Sequence, residues 1–233
     1  MGLYRSWPLL AIGCLPVAPA FAEAPTAIVE DVDSAPSEVE TMSYLEPGKT
    51  IDLGKDGRLV LSYLNSCVRE TIHGGFVVIG REQSDTRFAQ VEREKIACDA
   101  ARMSAAPGRS LDVAGMVLRN SARENNGAPH IAPAQNPEFV LYGSSPLVEL
   151  NGGGTLVIAR LDEHGEYVKV DVEPNRLRQG KFLDFAEEGR SLTAGGIYGA
   201  RWQQRLVVFK IDPSARPGKS PILGRLLRLG LVR

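Results

Sequence analysis

The chain has 233 residues, a net charge of −1, 43% hydrophobic and 24% charged residues. This near-neutral balance excludes a broadly basic nucleic-acid-binding protein. The length fits one large domain or two small ones once a leader is removed.

Arg5 is the only charged side chain before Glu23. A mostly apolar run follows from Trp7 to Val17, and Ala20-Phe21-Ala22 then places small residues at the −3 and −1 positions of a signal peptidase site. That order predicts a secretory signal peptide over residues 1–22, cleaved after Ala22. The run is too short, and too broken by Pro8 and Pro16, for the roughly 20 apolar residues of a bilayer span. Ala11-Ile12-Gly13-Cys14 resembles a lipobox, so membrane contact is expected only through a lipidated Cys14. The mature protein is expected to be periplasmic or secreted.

Residues 23–46 hold Glu23, Glu30, Asp31, Asp33, Glu38, Glu40 and Glu46 without a Lys or Arg. Pro25 and Pro36 interrupt them, which predicts a mobile, disordered acidic linker over 23–44.

Beyond it the chain reads as β-structure. Apolar runs at 50–53 and 58–64 flank Gly54-Lys55-Asp56-Gly57, a hairpin signal. Residues 76–79 follow Gly74-Gly75 as another strand, with weaker signals at 88–96 and 111–119. The polar stretch near 120–135, with Pro129 and Pro133, marks a boundary between domains 45–125 and 126–233.

The second half gives strands at 138–142, 147–150, 155–161, 167–172 and 205–211. Asn151-Gly152-Gly153-Gly154 and Asp162-Glu163-His164-Gly165 supply turns between them. Val168, Val170 and Val172 alternate with Tyr167, Lys169 and Asp171, the period of a strand with one buried face. Residues 222–229 read as a short amphipathic helix or a last strand. Short strands at this spacing predict an all-β protein of two small β-sandwich-like domains.

Two cysteines follow the signal, Cys67 and Cys98. An oxidising compartment favours pairing them, and no C-x-x-C spacing marks a metal or redox site. The bridge would close a loop of about 32 residues, worth about 3–4 kcal/mol by chain entropy.

Leu45-Glu46-Pro47-Gly48-Lys49-Thr50-Ile51, then Gly57-Arg58-Leu59-Val60-Leu61, then Gly74-Gly75-Phe76-Val77-Val78 resemble the FecR-like domain of bacterial envelope proteins. Ser191-Leu192-Thr193-Ala194-Gly195-Gly196-Ile197-Tyr198 followed by Leu206-Val207-Val208-Phe209 resembles the end of an immunoglobulin- or fibronectin-type sandwich. The resemblances imply a binding or structural module and name no ligand.

Catalytic signals are weak. His73, His130 and His164 lie in turns or the boundary stretch, and none has a second ligand at metal-site spacing. No nucleophile elbow occurs, and neither glycine-rich stretch has the form of a phosphate-binding loop. Arg69, Glu70 and Asp99 beside the cysteines would tune a thiol only if it were free. No catalytic residue, metal or cofactor is therefore assigned.

The expected function is a non-enzymatic exported envelope protein, a FecR-like sensor or scaffold acting through protein–protein contact. Its expected surface is the basic C-terminal end, Arg216, Lys219, Arg225, Arg228 and Arg233, interleaved with leucines. The alternative is a secreted carbohydrate-binding accessory or hydrolase. It would use Tyr142, Tyr198 and Trp202 as a sugar face, or Asp162, Glu163, Glu166 and Asp184 as a carboxylate cluster.

Overall fold

A computed structural model describes residues 23–34, 39–99, 136–163 and 165–230. The expected signal peptide with Cys14, the strand expected at 111–119, the domain boundary expected near 120–135, His130, His164 and Arg233 lie outside the described residues.

The described chain is all-β, as its periodicity predicts. Strand β1 (Ala27–Asp33) opens it, followed by β2 (Tyr44–Leu45), β3 (Thr50–Asp52) and β4 (Arg58–Tyr63). Then come β5 (Val68–His73), β6 (Phe76–Val78), β7 (Asp85–Arg87) and β8 (Gln90–Lys95). They form an antiparallel five-stranded sheet in the order β2-β1-β4-β5-β8 and a three-stranded sheet in the order β3-β6-β7. Leu59, Leu61, Tyr63 and Ile72 of the larger sheet pack with Ile51 and Val77 of the smaller one to make the first core.

The second lobe repeats this plan. Its strands are β9 (Phe139–Gly143), β10 (Leu147–Glu149), β11 (Gly154–Arg160) and β12 (Tyr167–Val172). They continue with β13 (Phe182–Asp184), β14 (Ile197–Trp202), β15 (Arg205–Arg216) and β16 (Leu226–Arg228). The five-stranded sheet runs β12-β11-β14-β15-β9 and the three-stranded sheet β13-β10-β16. β9 joins β15 in parallel, and β16 joins β10 in parallel. Leu156, Ile158, Tyr198, Trp202 and Phe209 meet Leu183 and Leu227 in its core.

Two expectations are corrected here. The acidic stretch is not a free linker throughout: β1 lies inside the larger sheet, between β2 and β4, with Ala27, Ile28 and Val29 fully buried. Its charges do not prevent this, because Ala27 and Val29 face the first core while Ile28 faces the other lobe. Residues 50–53 and 58–64 do not form a hairpin either. β3 pairs with β6, whereas β4 pairs with β1 and β5. The intervening turn closes with Gly57 N–H donating to the Leu53 carbonyl at 3.1 Å and carries the chain from one layer to the other. A Cβ at Gly57 would lie 2.3 Å from that carbonyl oxygen, so the tight turn requires glycine.

Residues 222–229 resolve into a 3-10 turn, Leu223–Arg225, and β16. Ile222, Leu223 and Leu226 pack with Ile28, Met42 and Leu64 between the lobes. Glu30 reinforces this junction. Its carboxylate accepts from Ser62 Oγ at 2.5 Å, Arg69 Nε at 3.0 Å, Ser220 Oγ at 2.8 Å and Ile222 N–H at 2.8 Å. Tyr44 donates to Glu149 Oε2 across the same junction at 2.9 Å, and Arg228 Nε donates to the same oxygen at 2.9 Å. The remaining N-terminal acids are thus not equivalent to Glu30, which is buried and fully bonded.

Candidate functional site

Three of the five exposed large apolar side chains among the described residues lie in the first lobe. Phe88 is 94% exposed, Phe76 45% and Val78 37%. Monomeric proteins expose single apolar side chains routinely, but grouped ones mark interaction sites. On the small sheet, Phe76 sits between Asp52 of β3 and Arg87 of β7, so its ring stands on the outer face while Val77 points inward.

Phe88 joins β7 of the small sheet to β8 of the large one and has a φ of 57°. A left-handed backbone costs a bulky side chain about 1–3 kcal/mol and persists only where surroundings enforce it. Gly75 provides that enforcement. The β5–β6 turn presses against the bend so closely that a Cβ on Gly75 would lie 2.3 Å from the Arg87 carbonyl oxygen. The backbone is locked while the phenyl ring projects into solvent.

Beside the ring is an open groove of about 630 Å³. Phe76 and Phe88 form its apolar wall, and Asp52, Lys55, His73 and Gln90 its polar rim. Asp52 Oδ1 accepts the Gly54 N–H at 2.9 Å, which fixes the β3 end of the groove. His73 and Gln90 are register partners across β5 and β8. The groove thus offers two ring faces with an amine, a carboxylate, an imidazole and an amide as hydrogen-bonding groups.

The cysteines pair as expected. Cys67 and Cys98 form a disulfide with a Cα–Cα distance of 5.9 Å. The neighbouring charges serve the sheet rather than a thiol. Arg69 bonds Glu30 and Glu94, and Glu70 is fully buried with Arg93 Nε at 2.7 Å and the Ser84 N–H.

The four described C-terminal cations, Arg216, Lys219, Arg225 and Arg228, are not brought together as one surface. Arg225 is buried, its guanidinium bidentate to Asp184 at 2.7 and 3.0 Å. Arg228 pairs with Glu149 against the Tyr44 ring. These two guanidiniums are used inside the fold, next to the buried Leu223, Leu226, Leu227 and Leu229. Arg216 is exposed, and Lys219, also exposed, lies 3.5 Å from Glu187.

The groups considered for a sugar face or a carboxylate cluster have structural partners. Tyr198 and Trp202 are core residues, and of the three only Tyr142 is exposed. Asp162 and Glu163 both pair with Arg160. The Arg160 bond and the Ile197 N–H hold the Asp162 carboxyl below the usual carboxylate range. Glu166 accepts from Tyr198 Oη at 2.5 Å, and burial pushes that phenol up. Among the described residues, no group of three or more His, Cys, Asp or Glu is placed to hold a metal ion. No helix among them is long and apolar enough to cross a membrane.

The sequence reading missed Phe76 and Phe88. Residues 76–79 are apolar without alternation, so nothing local says which face is covered. Phe88 carries no exposure signal at all. In comparison with known proteins, no family model matches the chain, and neither a curated protein nor a solved structure does.

Proposed function

We propose that the chain is an exported, non-enzymatic β-module of the cell envelope that acts by binding another protein, with the Phe76–Phe88 face receiving it. The observation that carries this reading is Phe88, held outward by a left-handed backbone at 94% exposure. Covering one such side chain is worth about 1.5–3 kcal/mol, enough to make it an anchor. The Cys67–Cys98 disulfide supports an oxidising compartment, in keeping with the secretory signal read from residues 1–22. The resemblance of residues 45–80 to the FecR-like domain supports a sensor or scaffold role.

The test compares the mature chain with Phe88→Ser in capture of proteins from an envelope extract. A binding module loses its captured protein on Phe88→Ser while circular dichroism and Tm are unchanged. Equal capture by both forms overturns the reading. A second reading, a carbohydrate-binding accessory, is favoured by the groove's pairing of two phenyl rings with Asp52, His73 and Gln90. It requires soluble oligosaccharide to compete at this groove.

A further inference from the structure

Residues 85–95 form the outer edge of both sheets of the first lobe. β7 is the last strand of the small sheet and β8 the last of the large one, with Phe88 at the bend between them. Five of the six β8 residues are exposed, and β8 pairs only with β5 among the described strands.

The ladder fixes which β8 backbone groups have no strand partner among the described residues. Ile96 N–H donates to the Cys67 carbonyl, so residue 96 faces β5. Alternation along an antiparallel ladder then turns Glu94, Glu92 and Gln90 toward β5 and the N–H and C=O of Val91, Arg93 and Lys95 outward. The strand is anchored at both ends. The Gly75 contact locks the bend at Phe88, and the disulfide ties Cys98 to Cys67 beyond Ile96. A prefixed edge loses little further freedom on pairing.

We propose that the partner docks as an extended, basic strand added to the β8 edge, with an apolar side chain of the same strand resting on Phe88. The proposal rests on the contact reading above. Charge on the outer face of β8 selects the residue that meets it. Gln90, Glu92 and Glu94 share the outer face of β8, opposite His73, Thr71 and Arg69. Glu94 is paired with Arg69 at 2.7 Å, whereas Glu92 faces Thr71 and has no ion pair among the described residues. An incoming residue opposite Glu92 sits at a closely spaced, non-hydrogen-bonded position, where side chains of one face meet. A lysine or arginine there completes the pair.

Two self-pairing registers are disfavoured. Two-fold antiparallel pairing centred on residue 92 sets Glu92 against Glu92. Centred on residue 93, it sets Arg93 against Arg93 and Glu92 against Glu94. Like charges directly opposite disfavour both registers.

The experiment uses the disulfide-intact mature chain and two synthetic peptides long enough to span β8, one alternating valine with lysine and one alternating valine with glutamate. The lysine peptide is expected to bind roughly fivefold or more tightly than the glutamate peptide and to slow amide exchange at Val91, Arg93 and Lys95. Glu92→Lys reverses the order of the peptides, and Phe88→Ser weakens binding of both. Unprotected β8 amides, an unchanged order with Glu92→Lys, or indifference to Phe88→Ser overturns the proposal. Concentration-dependent protection of the same amides without peptide, with a dimer by sedimentation, also overturns it by naming a second copy as occupant. If Phe88→Ser abolishes capture from the envelope extract while β8 stays unprotected in the captured complex, strand addition fails and the contact reading stands. If capture is unaffected, the contact reading itself fails.

Discussion

Replacing Arg225 with Met separates a buried structural role from a surface one. The Arg225 and Asp184 side chains are each 2% exposed. Arg225 donates Nη1 to Asp184 Oδ1 at 2.7 Å and to the Ser145 carbonyl at 3.2 Å, Nη2 to Asp184 Oδ2 at 3.0 Å, and Nε to the Lys219 carbonyl at 2.7 Å. Without the guanidinium, Asp184 keeps only the Ala186 N–H at 2.9 Å among the described residues and stays buried. Breaking one side of such a pair costs about 3–5 kcal/mol. That is a large share of the roughly 5–15 kcal/mol that holds a domain together. For a chain of this size it lowers Tm by about 10 °C. Urea unfolding with the disulfide intact measures the loss. The double variant Arg225→Met/Asp184→Leu removes both charges and should recover most of it, because a buried pair roughly balances against apolar replacement. Arg216→Ser, at an exposed position, should stay within about 0.5 kcal/mol of wild type. A loss below about 1 kcal/mol for Arg225→Met, or no recovery in the double variant, would refute the reasoning.

Two further outcomes are expected. Replacing Cys67 and Cys98 by Ser should cost about 3–4 kcal/mol, read by urea unfolding; quantitative alkylation of the unreduced wild-type chain would show that the bridge does not form. Burial pushes the Tyr63 phenol up to about 12, against an ordinary value of 10.0, with its hydroxyl 2.7 Å from Ser84 Oγ. A raised folded pKa means the stabilisation is complete below pH 10 and is lost as pH rises to about 12. Tyr63→Phe should flatten that part of the stability–pH curve, and a spectroscopic titration in which every tyrosine of the folded chain ionises near 10 would contradict it.

Local chemistry made much of this architecture readable. Val168, Val170 and Val172 alternate with polar neighbours, and β12 forms there with Val170 and Val172 in the core. The cysteine pairing followed from an even count and an oxidising compartment, and the disulfide is present. Residues 222–229 were legible only as an amphipathic segment. Helix or strand was decided by β10, which offers β16 a parallel edge at the moment Leu226 and Leu227 need burial.

What only the tertiary structure decided is the partner of each strand and the face each residue shows. Periodicity is a property of neighbours along the chain, so it locates β3 and β4 but cannot tell that the turn between them changes layer. It reads Glu30 and Arg225 as surface charges, because composition does not carry the Ser220, Ile222 and Asp184 groups that fold back to satisfy them. Phe88 is the converse case: a residue that composition assigns to the core stands in solvent, because the backbone of Gly75 occupies the space behind it. Hydrophobic burial depends on area removed from water by distant segments, and that quantity exists only once those segments have met.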